Sequence, residues 1–231
     1  MCVRYTFIPE VMLRKPVPAD ICVPDDVEPN YNIGPHQFAN VARWIAGEPR
    51  CDMLQWGFAP AWLDPALAQF NLRAETLFGN LMFDESARRR RCIVLATGWY
   101  DWPDEGHGRY PRYYSRKDGG LIGFAAIWTR NYPALIDTFA IVTAPAQPTT
   151  TFVHNRTPVV LEEQYYGMWL NPAISRPETL MPLMGQYEPG DLTSWAVGFY
   201  INDPLNDSPR CIEPLKKPGA QELGAHPEHT T

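Results

Sequence analysis

The sequence predicts an α+β fold, in which curved, mainly antiparallel β-sheets form a single domain with few helices. Three observations point there. The chain of 231 residues carries 24 Pro; Pro neither donates to a sheet ladder nor continues a helix, so short strands joined by rigid turns are expected. Apolar residues make up 45%, with 8 Trp, 11 Tyr and 10 Phe, enough for a sizeable core, and only 20% are charged, too few for a disordered chain. Short runs rich in β-branched and aromatic residues also recur between turn residues.

Residues 9–35 are Pro-rich and acidic and read as an irregular segment ending in Tyr31-Asn32-Ile33-Gly34-Pro35. Strand-like runs follow at Met53–Phe58, Cys92–Tyr100, Tyr110–Ser115, Leu121–Trp128, Thr138–Ala144, Pro158–Leu161 and Ser194–Tyr200. Asp84–Arg91 reads as a short helix, acidic at its start and basic at its end, as the helix dipole prefers. Glu162–Leu170 reads as a second, stopped by Asn171-Pro172. Ser175 is placed to cap a third, with Pro177 in its first turn, running to about Gly185. No repeat or Gly/Ser linker divides the chain, so one domain is expected over residues 1–215, followed by a polar, disordered tail over 216–231.

A net charge of −6 speaks against a duplex binder held by a broad basic face, though not against a local basic groove. Arginines do cluster, in the unbroken run Arg88–Arg91 and again at Arg109, Arg112 and Arg116. The five cysteines are scattered, odd in number and without a CxxC pair, which supports neither a disulfide framework nor a zinc site. The start lacks the apolar stretch of a signal peptide, and the longest apolar run, near Cys92–Ala96, is too short to span a membrane. The expected setting is a reducing cytoplasm.

Cys2 stands out by position. Removal of an initiator Met requires a small second side chain, and with Met1 gone Cys2 presents a free 1,2-aminothiol. Its α-amine has an ordinary pKa near ~7.7–8, against ~10.4 for Lys, so a useful fraction is neutral at physiological pH. A neutral amine attacks an aldehyde to give a Schiff base. The adjacent thiol can then close on the imine carbon to form a thiazolidine ring.

Further motifs occur in a fixed order. Met1-Cys2-Val3-Arg4-Tyr5, Tyr31-Asn32-Ile33-Gly34-Pro35 and Trp56-Gly57-Phe58-Ala59-Pro60-Ala61-Trp62 come first. Asn71-Leu72-Arg73-Ala74-Glu75-Thr76, Arg90-Arg91-Cys92-Ile93-Val94 and Gly98-Trp99-Tyr100-Asp101-Trp102 follow. His154-Asn155-Arg156-Thr157-Pro158 and Asn206-Asp207-Ser208-Pro209-Arg210-Cys211-Ile212-Glu213-Pro214 complete the series. It resembles the SRAP family, the SOS-response-associated peptidase fold, from the first residue to about Leu215.

The resemblance implies a barrel-like core of curved sheets with a few peripheral helices. It also implies covalent crosslinking to abasic sites in single-stranded DNA, whose open deoxyribose carries the aldehyde that the aminothiol requires. By the same resemblance Cys2 supplies amine and thiol, and Asn71 holds the N-terminus or sugar by hydrogen bonding. Asp101, where the family usually has Glu, accepts a proton from the amine or stabilises the iminium. His154 acts as general acid and base in ring opening and water loss, its ordinary pKa near ~6.5 suiting both directions. Arg4, Arg73 and Arg156 are expected on phosphates, for which forked guanidinium donors are suited. Pro35, Trp62 and Trp102 are expected beside the bases, Trp102 above Trp62 because most of the eight Trp must be buried. The Arg88–Arg91 run is read as structural or peripheral. No cofactor, metal or membrane partner is implied, and a monomer is expected.

The sequence departs from the family pattern at four positions. Asp101 is one methylene, about 1.5 Å, shorter than Glu, a scale to which catalytic geometry is sensitive. Val3 replaces the usual Gly beside the nucleophile, Leu81 falls where some members carry a basic phosphate contact, and Gly34 replaces a common Ala without expected consequence. Two other functions fit parts of the pattern. An N-terminal Cys with His154 and a carboxylate also describes a cysteine peptidase or amidohydrolase, with removal of Met1 as a limited form. A binder of single strands without chemistry is the other.

Overall fold

The computed structural model describes residues 3–12, 18, 21, 23, 27–103, 109–131, 136–146, 155–185 and 191–215. Cys2, His154 and the tail expected over residues 216–231 lie outside the described residues. In chain order the elements are β1 (Tyr5–Phe7), α1 (Pro9–Met12), β2 (Asn30–Ile33), β3 (Phe38–Ile45), β4 (Glu48–Trp56) and β5 (Asn71–Arg73). Then come α2 (Asp84–Arg89), β6 (Arg91–Ala96), β7 (Gly98–Asp101), β8 (Arg112–Arg116), β9 (Ile122–Asn131) and β10 (Ile136–Pro145). The chain continues through β11 (Arg156–Pro158), β12 (Val160–Leu161), α3 (Tyr166–Leu170), α4 (Pro177–Leu180) and β13 (Leu192–Ala196).

Two sheets carry the fold. One has five strands in the order β13-β8-β7-β1-β2, antiparallel throughout. The other closes on itself: β10 pairs β4, β4 pairs β3, β3 pairs β6, β6 pairs β9, and β9 returns to β10. Closure removes exposed edges. The result is the expected α+β fold, a barrel-like core of curved, mainly antiparallel sheets with short helices outside. Only β10 departs from antiparallel pairing, running parallel to β4 and to β5. Trp56, Leu54, Val94, Phe124 and Phe139 are buried in the core. No helix among the described residues is long and apolar enough to cross a membrane.

The run expected as one strand from Cys92 to Tyr100 is two strands in different sheets. The chain crosses between them at Thr97, whose N–H donates to Thr6 O at 2.8 Å and whose hydroxyl meets that of Thr6 at 2.9 Å. Gly98 makes the crossing possible: a Cβ there would strike the Tyr113 hydroxyl and lie 2.5 Å from the Tyr114 carbonyl oxygen. Gly98→Ala is therefore expected to lower Tm by roughly 5–10 °C, read by circular dichroism, since overpacking of this kind costs about 1–3 kcal/mol. A shift below about 2 °C would show that the sheets can separate to admit a methyl group.

The irregular reading of residues 9–35 is corrected at both ends, where Pro9–Met12 forms α1 and Asn30–Ile33 forms β2 against β1. Pro158–Leu161 divides at Val159 into β11, on β10, and β12, on β9. Ser194–Tyr200 pairs with β8 only as far as Ala196. The helix expected over Asp84–Arg91 forms over Asp84–Arg89, since Arg91 opens β6, and Glu162–Leu170 becomes a 3-10 turn at Glu163–Tyr165 leading into α3. Arg176, not Ser175, occupies the N-cap position of α4, and no side chain caps it.

Candidate nucleic-acid site

Two groups of the expected residues gather in the fold. The first forms around the start of β1, which lies in its sheet between β7 and β2. Tyr100 N–H donates to Arg4 O at 3.0 Å, and Thr6 bonds the Tyr113 hydroxyl at 2.8 Å, so the chain from Arg4 onward is fixed by main-chain and side-chain bonds. Asp101, the next residue after Tyr100, ends β7 opposite Arg112 and is only 5% exposed. Its Oδ1 accepts from Trp102 N–H at 2.9 Å. Continuing the β1–β7 register, in which Tyr5 faces Trp99, sets Val3 alongside Asp101.

Arg4 runs across Gly34, and its Nη1 donates to Asn32 Oδ1 at 2.8 Å. Burial draws its pKa below the usual 12.5, with nearby Asp203 opposing that shift. Buried Asn32 uses its Nδ2 for Asp203 O at 2.9 Å and Asn206 O at 2.8 Å, tying the loop after Phe199–Asn202 to the sheet. That loop also holds Trp102, whose Nε1–H donates to Asn202 Oδ1 at 2.8 Å. Pro35 follows Gly34 in the turn beside Arg4 and is half-buried. An Ala Cβ at position 34 would come within 3.1 Å of Arg4 Nε, so the Arg4 side chain would have to give by a few tenths of an ångström.

The second group lies on β10. Asn71 faces Ile141 and Arg73 faces Thr143 across the parallel β5–β10 pair. Alternation along β5 puts Asn71 and Arg73 on one face and Leu72 in the core. On the same stretch of β10, Arg156 of β11 faces Pro145. Its side chain reaches back over Thr143, with Nε donating to Oγ1 at 3.2 Å and Nη2 to the carbonyl at 2.6 Å. It ends on Glu75, where Nη1 and Nη2 each meet a carboxylate oxygen at 2.8 Å. The hydrogen bonds from Arg156 hold the Glu75 carboxyl far below its usual 4.5, at about 2, and the charge of Arg73 adds to this.

Aromatic packing joins the groups. The Tyr5 ring lies 5.4 Å from that of Trp56, whose Nε1–H donates at 2.8 Å to the carbonyl of Phe70, the residue before Asn71. Trp62 stands apart in the loop 59–68, with 68% of its surface exposed and no hydrogen bond or ring contact to either group among the described residues. Trp102, by contrast, is half-buried and bonded. Leu81 is fully exposed. Glu75, Thr143 and Asn32 were not singled out in the sequence, although Glu75 and Asn32 sit inside quoted motifs.

The family model for SOS response associated peptidase (SRAP) matches residues 1–204. The chain is similar to the abasic site processing protein YoqW of Bacillus subtilis, 29% identical over 224 residues that cover 92% of this chain and 99% of the relative. It is 30% identical over 199 residues to the abasic site processing protein YedK of Escherichia coli, covering 84% and 89%. Against the abasic site processing protein HMCES of Gallus gallus it is 25% identical over 202 residues, covering 74% and 60%. Among solved structures, a protein from Bordetella bronchiseptica has a TM-score of 0.71 at 22% identity, covering 85% of this chain and all of the other. One from Bacteroides thetaiotaomicron has a TM-score of 0.70 at 23% identity, covering 80% and 85%; these two bear on the fold alone. With a family model spanning nearly the whole chain, this protein belongs to the SRAP family.

Proposed function

We propose that this chain acts on DNA containing abasic sites, binding it as a single strand and crosslinking to the lesion through Cys2 once Met1 has been removed. The observation that carries this reading is the placement of Arg4. Two residues after Cys2, its main chain is bonded to Tyr100, beside the buried Asp101. Two residues of chain reach about 7 Å, a span that would let the position-2 amine meet that carboxylate.

The chemistry balances without a cofactor. The Cys2 amine adds to C1′ of the open sugar, and the carbinolamine loses one water to become an imine. The thiol then adds across the C=N bond, sulfur to carbon and its proton to nitrogen, closing the thiazolidine. Asp101 accepts the proton that the amine sheds and stabilises the iminium, Asn71 orients the amine or sugar, and His154 moves the protons of ring opening and dehydration. Loss of the C2′ proton from the imine instead expels the 3′ phosphate, a lyase side reaction. Arg4, Arg73 and Arg156 face the phosphates, and Pro35, Trp62 and Trp102 face the bases. The protein works in this reading as a cytoplasmic monomer that joins the nucleoid through its DNA.

The order of steps is tested with Cys2→Ser, which keeps the amine and loses the thiol. Borohydride added to this variant with an abasic single strand should give a reduced adduct on a denaturing gel. Failure to trap one would rule out attack by the amine first. Turnover of a peptide or amide without retained DNA would favour the hydrolase instead.

A further inference from the structure

We infer that Glu75 is a positioning residue for DNA engagement: its carboxylate locks the Arg156 guanidinium flat over Thr143 and offsets one of the two positive charges at this edge of β10. This rests on the proposed function.

The geometry is that of a strut. An arginine has five N–H donors. Arg156 commits one to Thr143 Oγ1, one to Thr143 O and one to each oxygen of Glu75. A single Nη1 hydrogen remains uncommitted among the described residues. Thr143 is itself fixed, its hydroxyl donating to Leu72 O at 3.0 Å. The Arg156 side chain is 11% exposed, so these four bonds could be replaced only by water entering the site. Arg73, one strand away at the level of Thr143, is exposed and lies close enough for its charge to act on Glu75.

Charge and orientation are therefore set together. With Glu75 present, the Arg73–Glu75–Arg156 trio offers a strand a net charge of one, from an open Arg73 and a fixed Arg156 edge. Without the carboxylate neither arginine is offset, and Arg156 keeps only its two bonds to Thr143. Binding of any strand should then strengthen while the reacting sugar loses its fixed register. Depression of the Glu75 pKa to about 2 keeps the trio ionised throughout the neutral range.

The test compares wild type, Glu75→Gln and Arg156→Lys by two readouts, with Tm recorded for each. One is the slope of log affinity against log salt for an unlesioned single strand, by fluorescence anisotropy. The other is the crosslinking rate at saturating abasic strand. Glu75→Gln should steepen the salt slope by about 0.7, the increment for one added phosphate contact on a single strand. Its crosslinking rate should fall at least ~10-fold, because a displacement near 1 Å is enough for such a loss. Arg156→Lys, which keeps the charge but cannot fork, should lose rate without changing the slope. A wild-type slope and rate in Glu75→Gln would overturn the inference. So would parallel losses of affinity, rate and Tm, which would make Glu75 a scaffold residue only. If wild type forms no adduct at all, the proposed function fails first, and an unchanged slope in Glu75→Gln would then refute the charge role independently.

Discussion

Arg91→Met is expected to destabilise the protein by about 3–5 kcal/mol and lower Tm by roughly 10–15 °C. Arg91 opens β6 and is 2% exposed, yet none of its bonds among the described residues goes to a carboxylate. Its guanidinium is surrounded by carbonyls instead: Trp169 O at 2.5 Å, Asn171 O at 2.6 Å, Ile174 O at 2.8 Å, Ala87 O at 3.0 Å, and Arg88 O. These are the closing carbonyls of α2 and α3 and of the turn that follows α3, groups that no further helical turn can satisfy. One buried cation thus satisfies the ends of two helices whose dipoles favour positive charge there. Burial lowers its pKa to about 10, which leaves it charged at neutral pH. Methionine fills much of the volume but strands the carbonyls in the core, at about 1–3 kcal/mol for each left dry. Against a total stability of about 5–15 kcal/mol the loss is severe. Urea titration measures it, and a change under about 1 kcal/mol would mean that water replaces the guanidinium.

Cys2→Ala is expected to abolish the stable DNA adduct while leaving affinity for single strands within about twofold. Alanine is small enough for Met1 still to be removed, so the variant keeps an α-amine of ordinary pKa near ~8. That amine can still form an imine, which water reverses; without sulfur nothing closes on its carbon. Affinity is expected to persist because the proposed phosphate and base contacts, Arg4, Arg73, Arg156, Trp62 and Trp102, are untouched. A denaturing gel reads the adduct and anisotropy reads the binding. A stable adduct formed by Cys2→Ala in the absence of borohydride would show that a different residue makes the bond.

Much of the architecture was legible in the sequence, because strands packed on one another need β-branched and aromatic runs and the turns between them need Pro and Gly. The helix at Asp84–Arg89 was legible for the same local reason, from acidic residues at its start and basic ones at its end. Strand β3 was not. Its buried positions include Asn40 and Arg43, which break the apolar pattern. Arg43 is acceptable there because Asp52 at 2.7 Å, Asp137 at 2.6 Å and the Trp128 ring at 4.3 Å surround it, partners that folding alone brings together. The same limit applies at the site. Asn71, Asp101 and the arginines could be named from ordered motifs, but Glu75 and Arg156 are 81 residues apart, and nothing local indicates their pairing. The partner of the Trp102 Nε1–H is equally distant in sequence, at Asn202. Arg91 illustrates the converse: its motif marks the Arg88–Arg91 run as structural or peripheral, and five carbonyl partners make Arg91 structural.

The measurement closest to the central claim is the intact mass of the wild-type protein after incubation with a single strand bearing one abasic site. Expected is a species with the mass of the chain lacking Met1, plus that of the oligonucleotide, minus one water, and no such species with an unlesioned strand. A protein that has lost Met1 yet shows only its own mass beside the unmodified abasic strand would contradict that claim.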